Sequence, residues 1–133
     1  MIIEDAIYKR LLDTDAVTAL VLRNVYRGFR SQSSALPCVT FLRTSTEYSN
    51  GAAGSGGTQH VNVQVDVWSE KQSEAREIAD AVFDTLDGWQ NATSPSTAPA
   101  ICTAQMDISS YPEDGGGMTE YRVEQDWSIW LTP

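Results

Sequence analysis

The sequence has few of the residues that metal sites and disulfide frameworks need. Its 133 residues include only two cysteines, Cys38 and Cys102, and one histidine, His60. Two cysteines are too few for a disulfide framework, and together with one histidine they do not readily supply the ligands of a zinc site. We therefore expect no metal site, and we expect both cysteines to be reduced thiols that pack as small hydrophobic side chains.

Long apolar runs are also missing. No stretch approaches the roughly 20 apolar residues that a membrane-spanning helix needs, so we expect no association with a membrane. The first ten residues, MIIEDAIYKR, carry acids where a signal peptide carries bases, so we do not expect secretion. The length is sufficient to bury roughly two thirds of the unfolded surface around one core, which predicts a single domain over residues 1–133.

Basic residues are scarce in the second half of the chain. Residues 1–60 carry six bases and five acids, whereas residues 61–133 carry three bases and thirteen acids, and the formal net charge is −9. Such an acidic surface disfavours stable binding to nucleic-acid phosphates, which requires Lys and Arg at the interface. A solvated acidic surface that aids solubility is the simplest interpretation.

A glycine-rich stretch, GAAGSGGT at residues 51–58, is close to a phosphate-binding loop. The lysine of that motif is missing, because Gly57 occupies its position. The context also differs, since a phosphate-binding loop joins a strand to a helix and this stretch lies between two predicted strands. We therefore predict no cofactor, no nucleotide hydrolysis and no enzymatic activity.

Residues 61–89, VNVQVDVWSEKQSEAREIADAVFDTLDGW, show the clearest periodicity. Alternating valines predict a strand with one face in the core, and they leave Asn62, Gln64 and Asp66 on the other face. From Ala75 to Trp89, apolar residues then recur at helical spacing. The valines are Val61, Val63, Val65 and Val67, Ser69 and Gln72 fit a capping box, and Gly88 fits the position just past the helix end.

The remaining periodic segments complete the predicted order of elements. Ile3, Ile7 and Leu11 predict a helix over residues 2–12, and AVTALVL offers a second short helical piece. Strands are predicted at NVYRGFR, CVTFLRTS, ICTAQMDIS and TEYRVEQDWSIWL. The order α-β-β-β-α-β-β predicts an α+β fold with a mainly antiparallel sheet and two helices packed against it.

A long loop is predicted at residues 46–59, TEYSNGAAGSGGTQ. Its glycine, serine and asparagine content disfavours regular structure, and loops of this length are often functional or disordered. Four glycines within residues 51–57 make ordering costly, so we expect the loop to be mobile in the free subunit and ordered by a partner. The residues assigned to this partner-ordered loop are Tyr48, Asn50, Gly51, Gly54, Gly56 and Gly57.

The chain resembles the tail completion proteins of long-tailed bacteriophages, also called tail terminators or tail-to-head joining proteins. The resemblance covers nearly the whole chain, and none of the stretches that carry it is a catalytic signature. These stretches are IIEDAIYKRLLDTDAVTALVLRNVYRG, ALPCVTFLRTSTEYS, residues 61–89 as quoted above, and YPEDGGGMTEYRVEQDWSIW.

The resemblance implies a structural role in the virion, at the neck where head and tail meet. Such proteins form a ring, usually a hexamer, that caps the head-proximal end of the tail tube and stops tube polymerisation. The implied partners are further copies of the chain, the tail tube protein and the head connector or stopper protein, while DNA passes only transiently through the lumen. The ring would assemble in the host cytoplasm, and related rings occur in gene transfer agents.

Three alternative functions remain open at this point. The chain could form another ring of the neck, such as a stopper or adaptor, or it could be a tail tube subunit. A small enzyme with Asp or Glu in a cleft is a third alternative, although no motif supports it.

Ring closure suggests a use for the uneven charge. A cyclic ring joins one patch of each subunit to a different patch of the next. Bases on the first two strands and acids on the predicted 70–87 helix would form two such patches. In the alternative, these charges pair within one subunit or face water, where exposed pairs contribute only about 0–1 kcal/mol. The residues assigned to the interface are Arg23, Arg27, Arg30, Arg43, Glu77, Asp80, Asp84 and Asp87.

Overall fold

Two short helices open the chain, as the apolar spacing predicts. Helix α1 comprises Ile3–Leu12, and helix α2 comprises Asp15–Val21. Ile3, Ile7 and Leu11 are all buried, which confirms the predicted apolar stripe. Because the segment after α1 forms a helix of its own, the structure has one helix more than the two predicted. The computed structural model describes residues 2–29, 35–51, 54–93, 95–110 and 120–132.

In the described part of the chain, five strands form one sheet in the order β1-β2-β3-β5-β4. β1 runs parallel to β2, and every other neighbouring pair is antiparallel, which confirms the predicted mainly antiparallel sheet. The strands are β1 (Val25–Arg27), β2 (Cys38–Gly51), β3 (Gly54–Ser69), β4 (Ile101–Ser110) and β5 (Glu120–Leu131).

Helix α3, Gln72–Leu86, lies between β3 and β4 in the chain and packs on one face of the sheet. Its buried residues share one core with those of α1 and α2 and with alternate residues of β3 and β5. All three helices therefore cover the same side of the sheet, which we call the helix face. The predicted inward valines, Val61, Val63, Val65 and Val67, are at most 2% exposed.

The two ends of α3 show one confirmed prediction and one correction. Gly88 follows the helix with φ of 73°, a left-handed conformation that favours glycine. The predicted capping box is wrong, because the helix itself begins at Gln72. Ser69 Oγ instead donates to Glu74 Oε1 (2.7 Å) and accepts from the Lys71 N–H (3.1 Å), so Ser69 stabilises the turn before the helix.

The predicted loop at residues 46–59 is wrong, because this segment is the outer part of a β-hairpin. β2 continues to Gly51, and β3 begins opposite it at Gly54. β5 pairs with β3 only from Gln59 onward, so the hairpin beyond that residue is a two-stranded ribbon. The hydrogen bonds between β2 and β3 are made by backbone groups, and glycine has the same N–H and C=O groups as other residues. A high glycine content therefore did not prevent this segment from forming strands. We call residues 46–51 and 54–59 the arm.

Candidate interaction surfaces

The described residues do not form a metal centre, and the single histidine is held by structural contacts. No three His, Cys, Asp or Glu side chains among them converge on a possible metal position. The His60 ring stacks on Trp130 with centroids 4.3 Å apart. Its Nε2 lies 2.5 Å from Ser128 Oγ, and its Nδ1 lies 3.3 Å from Glu47 Oε2. Both ring nitrogens therefore have partners among the described residues.

Among the described residues, the two cysteines, the helices and the glycine-rich stretch give no indication of a further site. Cys38 is a buried thiol and Cys102 a partly buried one, and burial raises the pKa of the Cys102 thiol. No helix in the described ranges is both long and apolar enough to cross a bilayer. The described residues of the GAAGSGGT stretch belong to the end of β2 and the start of β3, and no helix follows them directly, so the context is not that of a phosphate-binding loop. The surfaces of the protein are therefore the candidates for function.

The arm is the first of these surfaces. Beyond Gln59 its two strands pair with each other and with no other described strand, and an isolated two-stranded hairpin is marginally stable in water. Tyr48 lies within the arm, and 57% of its surface is exposed. Asn50 and Gly51 end β2, while Gly54, Gly56 and Gly57 lie at the start of β3. That a partner orders the arm stays a prediction.

Two of the arginines assigned to the interface form ion pairs within the chain. The Arg43 guanidinium meets the Glu4 carboxylate through two contacts, Nε to Oε1 (2.6 Å) and Nη2 to Oε2 (3.2 Å). Arg27 Nη1 lies 2.5 Å from Asp5 Oδ1, and this hydrogen bond holds the pKa of the Asp5 carboxyl below its usual range. Both acids lie in the first turn of α1, where the helix dipole also favours negative charge.

The other two assigned bases differ from this pair. Arg23 is exposed just before β1, and no ion pair joins it to another residue that the structure describes. Arg30 lies outside the described residues, so its assignment stays a prediction. Arg23 is therefore an exposed base whose charge remains available to a partner.

The four assigned acids form an exposed row that we call the acidic ridge. None of them makes an ion pair with another described residue, and none packs into the core. Pairing within the subunit thus explains Arg27 and Arg43 but not these acids. The acidic ridge consists of Glu77, Asp80, Asp84 and Asp87, of which the first three lie on α3 and the last directly follows it.

The side of the sheet opposite the helix face is a further surface, which we call the open face. None of the three helices packs against it, because their buried residues all belong to the core on the helix face. Across the centre of the open face, Asp66 of β3 lies directly opposite Glu124 of β5. Asp126 and Arg122 flank Glu124 on the same side of β5, so three carboxylates and one guanidinium share this surface.

Asp66 is the unusual residue of the open face. It is only 4% exposed, although no helix covers it. Gln64 Nε2 donates to its Oδ2 (2.9 Å), but no described donor reaches its buried Oδ1. Burial raises the pKa of the Asp66 carboxyl, with a further contribution from the charge of Asp126, while Gln64 and Arg122 oppose the shift. Asp66 is therefore a buried carboxyl group with one oxygen, Oδ1, that accepts no hydrogen bond from a described residue.

Glu124 shares the electrostatic environment of Asp66. Burial raises the pKa of the Glu124 carboxyl, and the charges of Asp66 and Asp126 raise it further. Arg122 only partly compensates, since its Nη2 is 3.9 Å from Glu124 Oε2 and its guanidinium lies 5.2 Å from the centre of the Trp68 ring. The sequence placed Asp66 on this face, but only the strand register brings it opposite Glu124.

Comparisons with known proteins give one family match and one match in fold. Residues 5–96 match the sequence model of the family described as tail completion protein gp17. A chain of the solved structure described as "Virion of native gene transfer agent (GTA) particle" is similar in fold, with a TM-score of 0.72 and 15% identity, over 96% of this chain and 92% of that chain. No curated protein sequence is significantly similar to the chain.

Proposed function

The chain belongs to the family of tail completion protein gp17, and on this premise we propose that it forms a ring at the head-proximal end of the tail tube. The protein is a structural component of the phage tail within the virion. The proposed ring stops polymerisation of the tube and joins the finished tail to the connector or stopper of the DNA-filled head. By this proposal the subunits, usually six in such rings, enclose a lumen through which DNA passes only transiently.

The family match over residues 5–96 carries this proposal, and the surfaces of the subunit support it. A closed ring needs two different patches on each subunit, and further patches for the tube below and the connector above. The open face, the acidic ridge and the arm lie in different parts of the fold, and none of the three helices packs against the open face. We propose that the acidic ridge and Arg23 contact other subunits or proteins of the tail.

Loss of the gene tests the proposed role directly. In the phage or transfer agent that encodes the protein, we expect disruption to give tail tubes of irregular, excessive length that are not attached to filled heads. Electron microscopy of lysates measures both features, and complementation with the intact gene is the control. Absence of tubes would instead indicate a tube subunit, and tails of normal length beside heads that lose DNA would indicate a stopper.

The proposed role requires no catalysis by the protein. The stretch at 51–58 lacks the phosphate-contacting lysine and lies in a hairpin, so we expect purified protein to release no phosphate from ATP. A colorimetric phosphate assay with magnesium present measures this. Steady turnover that disappears when Gly57 is replaced by aspartate would contradict the proposal that the protein is purely structural.

The arm offers a second test of assembly. In the free subunit we expect amides of the two-stranded part of the arm, such as those of Asn50 and Ser55, to exchange much faster than those of Val63 and Val65 in the same sheet. In assembled tails, contact with a neighbour should slow exchange in the arm while the valines change little. Hydrogen exchange with mass spectrometry compares the two states. Equal and strong protection of the arm in both would show that no partner is needed to order it.

A further inference from the structure

The centre of the open face has an unfavourable arrangement of charge in an isolated subunit. Asp66 and Glu124 are directly opposite on neighbouring antiparallel strands. Side chains in such positions have Cβ atoms about 4.5–5.5 Å apart, and like charges there are destabilising. Asp126 adds a third carboxylate one position along the same face, while Arg122 is the only arginine or lysine among the described residues of these two strands.

The unpaired oxygen of Asp66 points to a missing donor. Buried polar atoms in proteins nearly always have a hydrogen-bond partner, and Asp66 Oδ1 has none among the described residues. Next to it, Met106 of β4 lies opposite Glu124 and is 59% exposed, and Trp68 is partly exposed on β3. This apolar border suits the aliphatic stem of a long basic side chain, whose charged end would meet the carboxylates.

The same chain presents a matching group elsewhere on its surface. Arg23 is exposed without an ion-pair partner among the described residues, unlike Arg27 and Arg43. Leu22 directly precedes it and is 69% exposed. Leu22 has φ of 57°, a positive value that is costly for leucine, so an exposed apolar side chain lies on strained backbone next to the base. We call these two residues the Leu22–Arg23 corner.

From these observations we propose that the open face of one subunit receives the Leu22–Arg23 corner of a second copy, with the Arg23 guanidinium between Asp66 and Glu124. A guanidinium has five N–H donors in a planar fork, so it can donate at once to the partly exposed carboxylates of Glu124 and Asp126, and its charge then lies next to the buried Asp66 carboxylate. The contact joins two different patches and is therefore of the heterologous kind that closes a ring. This proposed contact rests on the proposed ring. It places Arg23 against the open face of the neighbouring subunit and not against its acidic ridge.

Cross-linking in assembled particles tests this placement. The test variant keeps Arg23 and carries Leu22→Cys with Met106→Cys on the open face, and the matched variant carries Leu22→Cys with Asp80→Cys on the acidic ridge. Both positions on the acceptor side are exposed. A short bifunctional maleimide is applied, and denaturing gels resolve the covalent products. Single-cysteine variants give the background from the native Cys38 and Cys102.

We expect covalent dimers and higher multimers from the variant with Met106→Cys and only background from the variant with Asp80→Cys. Multimers from the ridge variant alone, or from neither variant, would overturn the proposal. A lysine of the tube or connector protein would be the alternative occupant of the open face. Met106→Cys should then cross-link to a cysteine introduced into that protein and not to a second copy of this chain, and this result would also overturn the proposal.

Charge reversal provides a test that needs no chemical modification. Arg23→Glu changes an exposed residue, so circular dichroism should show an unchanged unfolding temperature in the purified subunit. The yield of joined particles should fall at least tenfold, Glu124→Arg should restore part of it, and Asp84→Arg should restore none. Normal yields from Arg23→Glu would refute the contact, while the deletion phenotype would still decide the proposed function separately.

Discussion

Replacement of Asp66 by asparagine should stabilise the isolated subunit at neutral pH. The Asp66 carboxylate is buried, has no described donor for Oδ1 and faces the charges of Glu124 and Asp126. Asparagine has nearly the same shape and can still accept from Gln64, while its amide N–H groups can donate toward the neighbouring carboxylates. The substitution therefore removes a buried charge and replaces the unpaired acceptor oxygen by a donor.

The size and the pH dependence of the effect follow from the same geometry. An unsatisfied buried polar group costs about 1–3 kcal/mol, and we expect a gain of about 1 kcal/mol, or roughly 4 °C in Tm for a chain of this length. Because the pKa of Asp66 is raised in the folded state above 3.8, its carboxyl is least destabilising below that value. Stability from this group is lost as pH rises through the folded pKa, so the gain should shrink as the solution is acidified.

Urea unfolding followed by tryptophan fluorescence, at pH values from 7 down to about 3.5, measures this gain. Asp84→Asn on the acidic ridge is the matched control, because that acid is exposed and unpaired, and it should change stability by less than about 0.5 kcal/mol. Destabilisation by Asp66→Asn at pH 7, or a gain that does not vary with pH, would refute the reasoning. The same substitution should weaken assembly, since it removes a charge that we propose meets Arg23.

Three further substitutions test contacts within the subunit. Gln125→Leu should destabilise the subunit by about 1–3 kcal/mol in urea unfolding, because buried Gln125 accepts from Trp127 Nε1 (3.1 Å) and that donor would lose its partner. An unchanged unfolding midpoint would show that water replaces the contact. Arg43→Met should lower the free energy of unfolding by about 1 kcal/mol in thermal unfolding, because the two-contact ion pair with Glu4 is partly buried. The loss should be smaller in high salt, which screens the charges, and an equal loss at all salt concentrations would assign the effect to packing. Gly88→Ala should cost about 1 kcal/mol by calorimetry, because φ is 73° while no atom lies within 4 Å of the added Cβ; a neutral result would show that the turn relaxes.

Local patterns in the sequence predicted those features that depend on near neighbours. The stripe of Ile3, Ile7 and Leu11 repeats with the helical period, and the alternating valines of β3 repeat with the period of a strand. Gly88 was predictable because a left-handed residue at a helix end favours glycine whatever the rest of the fold does. Each of these inferences requires only residues a few positions apart.

Pairing between distant segments decided the features that the sequence left open or predicted wrongly. The arm is a hairpin because strand register continues past the core valines, a property that glycine content does not report. Arg27 and Arg43 meet α1 because the helix packs beside β1 and β2, and Asp66 meets Glu124 because β3 and β5 pair in one particular register. Residues 58 positions apart come into contact only after folding, so the charge cluster of the open face belongs to the tertiary structure and to no local pattern.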